Sequence, residues 1–144
     1  MAKTVRSGVV PATPEELWRV VANPHHLPRW WPGVTRVENV RDGHFTVVIP
    51  TKRGKPVRLD QTITDSVENR RRVWTQQLEG TPFERLLHSW TTTVEIEPCE
   101  LGSKVTITEH QRLRGRLKLG AMLQVRPARK RVMQALDNLQ QLFG

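Results

Sequence analysis

A chain of 144 residues with a single cysteine, a formal net charge of +9 and an apolar fraction of 37% fits one domain with a substantial core and cannot close an internal disulfide. The amino-terminal run lacks the apolar character of a signal peptide, and no stretch of about twenty apolar residues is available to cross a bilayer, so the expected location is cytoplasmic. The charge fits an anionic partner or a solvated basic surface, and nucleic acid is the less favoured partner.

Residues 3–10 alternate weakly and read as a first strand, ended by Pro11. Thr13-Pro14-Glu15-Glu16 then supplies a cap, a proline suited to the first helical position and a glutamate that completes a capping box. Leu17, Trp18, Val20 and Val21 follow on one broad face of a short amphipathic helix, which Asn23-Pro24 stops. A second short helical segment, 25–32, is bounded by prolines and carries Trp30 and Trp31. From 34 to 114 the pattern is strand and turn. Strand-like runs fall at 34–40, 45–49, 57–63, 73–78, 86–96 and 105–113, with turn residues between them and Asp42-Gly43 as the strongest hairpin signal. Regular spacing of this kind describes an antiparallel meander. Residues 117–143 close the chain as helix, with Val132, Leu136, Leu139 and Phe143 on one stripe. Pro127 interrupts the pattern, which leaves either one kinked helix or two helices meeting there. No repeat, low-complexity tract or linker divides the chain, so 1–144 is expected to be one domain.

The run Ala12-Thr13-Pro14-Glu15-Glu16-Leu17-Trp18, then Asn23-Pro24, then Leu27-Pro28-Arg29-Trp30-Trp31-Pro32-Gly33-Val34, together with this order of elements, resembles the SRPBCC superfamily. The closest likeness is to its bacterial polyketide cyclase/dehydrase and lipid-transport group. The resemblance covers nearly the whole chain. It implies an α+β helix-grip fold: a curved antiparallel sheet of about seven strands wrapped around a long C-terminal helix, with two short helices after the first strand. It also implies a cavity between sheet and helix that takes a small hydrophobic or aromatic ligand. Carriers, enzymes and regulators share the superfamily, so function does not follow from fold.

Strand alternation assigns faces independently of that resemblance. Val105 and Ile107 point inward, which brings Glu109 and Gln111 with them, unless a β-bulge intervenes. Ile96 and Val94 carry Thr92, Trp90 and His88 to the same side. A hairpin turning near 98–103 sets Thr92 opposite Glu109 and Trp90 opposite Gln111. Trp74 and Gln76 share a face, and Gln61 sits between inward Leu59 and Ile63. The expected inner face is thus aliphatic at one end. At the other it is aromatic and polar, the usual profile of a ligand site. The candidate ligand-binding residues are Trp30, Trp31, Gln61, Trp74, Gln76, His88, Trp90, Glu109, Gln111 and Leu123. Each tryptophan also has a plain reading as core.

Glu109 and His88 form the candidate catalytic pair, for general acid/base work in an aromatase/cyclase-type enzyme. A structural hydrogen bond is the commoner outcome for such a pair. His25 and His26 would point about 100° apart on a helix, and no His or Cys spacing matches a metal site, so no metal is expected. Without a phosphate loop or dinucleotide fingerprint, no cofactor is expected either.

The stretch from Arg112 to Arg131 carries Arg112, Arg114, Arg116, Lys118, Arg126, Arg129, Lys130 and Arg131 and no acid. It is a solvated surface by default, and otherwise a patch for an acidic protein, an anionic membrane or nucleic acid. Binding or transport of a small hydrophobic or amphipathic ligand is the leading expectation, as a monomer or a homodimer. A cyclase-type enzyme and a basic-surface binder are the alternatives.

Overall fold

In the computed structural model of the protein the described residues are 2–51, 54–81, 83–114 and 118–144, with backbone alone described at residue 2 and along 118–126. Strand β1 (Ala2–Val10) leads to helix α1 (Pro14–Val21), a single tight helical turn (Pro24–His26) and helix α2 (Leu27–Trp30). Strands β2 (Arg36–Arg41), β3 (His44–Ile49), β4 (Val57–Val67), β5 (Arg71–Gln76), β6 (Leu87–Cys99) and β7 (Gly102–Leu113) follow, and helix α3 (Lys118–Phe143) closes the chain. All seven strands form one antiparallel sheet in the order β1-β7-β6-β5-β4-β3-β2. Neighbours in sequence therefore pair by hairpins, while β1 returns to the far edge beside β7.

Local chemistry sets the boundaries. The Glu16 amide donates to Thr13 Oγ1 at 3.1 Å and the Thr13 amide donates to Glu16 Oε1 at 3.4 Å, so the anticipated capping box is formed. Asn23 Oδ1 accepts from the His25 amide at 3.1 Å and starts the next turn. Asp42 (φ 42°) and Gly43 (φ 78°) make the two-residue hairpin that pairs Arg41 with His44. At the β6–β7 turn, Gly102 has φ 134°, and a Cβ there would lie 2.4 Å from the Val10 carbonyl oxygen. Only glycine fits that position.

Leu17, Val20 and Val21 of α1 and Leu27 and Trp30 of α2 are buried on the sheet. Ala128, Val132, Ala135, Leu136 and Leu139 form the buried stripe of α3. The helix comes close to β1: a Cβ on Gly8 would stand 3.0 Å from Leu136 Cδ2. The alternative of two helices meeting at Pro127 is not realised, since α3 contains Pro127 within one continuous helix. Arg72, on β5, donates to the carbonyl of Ala22 at the end of α1 and lies 5.6 Å from the centre of the Trp18 ring. Burial there lowers the pKa of its guanidinium. Register shifts interrupt β2 between Glu38 and Arg41, β4 between Ile63 and Asp65, and β6 between Leu87 and Ser89. Bulges of this kind bend strands and add local twist, which suits a sheet wrapped around a helix. Among the described residues no helix is long and apolar enough to cross a membrane.

Candidate functional site

The inner faces of β6 and β7 divide as alternation requires. Val94, Ile96, Val105 and Ile107 are fully or almost fully buried near the β6–β7 turn. Further along, Thr92 pairs with Glu109 and Trp90 with Gln111, the register anticipated from the sequence. β7 runs without a bulge through Glu109, which keeps that carboxylate inside. Gln61 and Gln76 lie opposite each other on β4 and β5 and are both buried.

Between this end of the sheet and the helices is a cavity of about 320 Å³. Trp31, Trp74, Phe83 and Trp90 supply aromatic walls, Leu27, Val47 and Leu59 aliphatic ones, and Gln61, Gln76, Thr92 and Arg131 the polar groups. The ring centre of Trp31 stands 5.7 Å from that of Trp74, edge to face, and Phe83 meets Trp90 in the same way at 5.3 Å. Such pairs hold rings at fixed angles. Trp30 is fully buried behind this layer, 5.5 Å from Trp31 and 6.4 Å from Trp74, and is not part of the lining. Asn138 of α3 donates to the Trp30 carbonyl at 3.0 Å and ties α2 to the long helix.

The polar groups form two sets. In the first, Gln61 Nε2 donates to Gln76 Oε1 at 3.3 Å, and Gln76 Nε2 has no partner among the described residues. In the second, Arg131 Nε donates to Glu109 Oε2 at 3.0 Å and Arg131 Nη2 donates to Glu109 Oε1. This is a bidentate pair that holds both carboxylate oxygens. Gln111 Nε2 adds a donation to Glu109 Oε1 at 3.3 Å, while Gln111 Oε1 is without a partner among the described residues. The Arg131 guanidinium lies 4.9 Å from the centre of the Trp90 ring, a cation–π distance.

His88 departs from the expected arrangement. The register shift between Leu87 and Ser89 interrupts the alternation, so Leu87 is buried and His88 is exposed. The expected meeting of His88 and Glu109 on the inner face is thus replaced by Arg131 with Glu109. Leu123 lies outside the residues whose side chains are described, as do Arg116, Lys118 and Arg126 of the basic stretch. Arg112, Arg114, Arg129 and Lys130 are exposed.

Sequence reasoning counted Arg131 among surface cations. A signal was present: Arg131 stands three residues after Ala128 and four before Ala135, both on the buried stripe of α3. Phe83 sits in the β5–β6 connection, where no periodicity could point to it.

Across residues 1–144 the sequence matches the family described as polyketide cyclase/dehydrase and lipid transport. The chain belongs to that family. The family implies hydrophobic-ligand binding or polyketide cyclisation as the general role. No curated protein gives a match. Solved structures share the fold. A protein from Bacillus cereus superposes with a TM-score of 0.79 at 18% identity, over 99% of this chain and 96% of that one. The di-domain ARO/CYC protein BexL gives a TM-score of 0.80 at 21% identity, over 98% of this chain and 46% of that one. StfQ, a di-domain ARO/CYC from the steffimycin biosynthetic pathway, gives 0.76 at 15% identity, over 99% of this chain and 50% of that one. This chain thus spans about half the length of each di-domain protein. At these identities the likeness is one of fold.

Proposed function

We propose that the protein binds a small, largely apolar ligand in the cavity between α2, α3 and the inner face of β3 to β6. The observation that carries this reading is the cavity itself. It is walled by three tryptophans and a phenylalanine, and Gln76, which also lines it, has a buried amide donor, Nε2, with no partner among the described residues. A buried donor left unpaired costs about 1–3 kcal/mol, and a ligand acceptor would remove that cost. Native mass spectrometry of the purified protein, with thermal shift against panels of small aromatics and lipids, tests the reading. A retained small molecule or a specific stabilisation is expected. Neither appearing in any panel would contradict it.

Binding is better supported than catalysis. Among the described residues lining the cavity the ionisable side chain is Arg131, whose guanidinium can donate hydrogen bonds but not accept them. Both Glu109 oxygens are engaged by Arg131, and His88 is exposed and outside the cavity lining. A cyclase reading would need a proton carrier in the cavity. Exposed Arg112, Arg129 and Lys130 favour, as a second proposal, contact with an acidic protein or anionic surface. That contact should weaken as salt rises from 50 to 300 mM, on the order of the Debye screening of exposed charges. Salt-independent attachment to anionic vesicles or to an acidic protein would contradict it.

A further inference from the structure

The hydrogen-bonding and charge inventory of the cavity carries the binding proposal further, to a chemical class of ligand. This step rests on the reading that the cavity is a binding site.

Charge comes first. Arg131 borders the cavity, and its charge is already matched by Glu109 through two hydrogen bonds, under the face of Trp90. Glu109 is 1% exposed, so its negative charge has little water to screen it. The pair is neutral as a unit. A ligand carboxylate entering beside it would lose its own hydration, find no unmatched cation, and meet the like charge of Glu109. An uncharged ligand incurs none of these costs.

Hydrogen bonding comes second. Gln76, whose side chain lines the cavity, is 8% exposed and its Oε1 already accepts from Gln61, which leaves its buried Nε2 unpaired among the described residues. A ligand that satisfies it must present an acceptor. Shape comes third. Trp31 and Trp74 meet edge to face, as do Phe83 and Trp90, so the walls offer flat faces at fixed angles. The cavity volume of about 320 Å³ sits at the lower end of the usual range for ligand sites, about 300–1,000 Å³. That suits a compact ring system better than a lipid with two acyl chains.

We infer that the cavity selects a compact, flat, uncharged molecule bearing a hydrogen-bond acceptor such as a ketone carbonyl, which docks on the Gln76 amide. Glu109 neutralises Arg131 and thereby sets the preference against anions.

Three probes of one shape test this by calorimetry: ethylnaphthalene, acetylnaphthalene and naphthoate, substituted at the same ring position. The unaltered protein should bind acetylnaphthalene about ten-fold more tightly than ethylnaphthalene, the worth of one neutral hydrogen bond, with naphthoate weakest. Gln76→Leu should erase the advantage of the ketone over ethylnaphthalene. Glu109→Gln, which frees the Arg131 charge, should move the preference to naphthoate. The double variant E109Q/R131Q should return it to the ketone, and it decides the matter if the single variant does not fold. Equal affinity for all three probes, or naphthoate binding best to the unaltered protein, overturns the assignment of ligand class and leaves the cavity as a binding site. No heat and no thermal shift with any probe overturns the binding reading itself, and this inference with it.

Discussion

Glu109 and Arg131 stand 22 residues apart in the sequence, on β7 and midway along α3, yet their side chains meet in a bidentate pair. Removing one partner of a buried pair leaves an uncompensated charge, whereas replacing both with apolar groups need not destabilise. Glu109→Ala should therefore cost roughly 3 kcal/mol in chemical denaturation, while E109L/R131M costs much less. Equal losses in the two variants would show that the pair is not acting as a charge unit. Half of this arrangement was legible in the sequence. Glu109 followed from Val105 and Ile107 by twos, because no bulge intervenes on β7. Its partner was not legible, because a cation inside a basic run reads as surface. His88 was misplaced for a different reason: the register shift between Leu87 and Ser89 is announced by no glycine or proline.

Turns and caps were the most readable elements, because each depends on a few adjacent residues. The Thr13–Glu16 capping box is formed as its spacing implies, and Thr13→Ala should lower stability by about 1 kcal/mol, measured by thermal melting. The β6–β7 turn is more demanding. Gly102 has a positive φ, a backbone carbonyl occupies the place of its missing Cβ, and Ser103 Oγ donates to the Ala12 carbonyl at 2.7 Å beside it. Gly102→Ala should cost about 2–3 kcal/mol or more, because conformational strain and a steric clash coincide. A loss below 0.5 kcal/mol, the scale of an ordinary surface change, would mean that the turn and β1 separate easily. The sequence suggested a turn at 98–102 but not this contact, since the approach of Val10 and Ala12 is a product of β1 crossing to pair with β7. Pro127 was ambiguous for the same kind of reason. Packing of Ala128, Val132 and Ala135 on the sheet, rather than local preference, accompanies continuity of α3 through it.

A sheet closed on one long helix leaves an interior that is aliphatic near the β6–β7 turn and aromatic and polar at the other end, where the cavity lies. The gradient was visible in the alternation of strands. The cavity volume was not, because it depends on Phe83 and Arg131 and on the angles of rings that no sequence pattern reports. A ligand held there stabilises the folded chain by mass action. At a hundred-fold excess over its Kd the gain is about 2.7 kcal/mol, which raises Tm by roughly 5–10 °C for a domain of this size. The most direct measurement of the central claim is tryptophan fluorescence during titration with acetylnaphthalene. Trp31, Trp74 and Trp90 line the cavity while Trp18 and Trp30 do not, so occupancy should produce saturable, partial quenching that fits one site per chain. Quenching that rises linearly without saturation, unchanged on replacing Trp74 by Phe, would contradict a ligand-binding cavity.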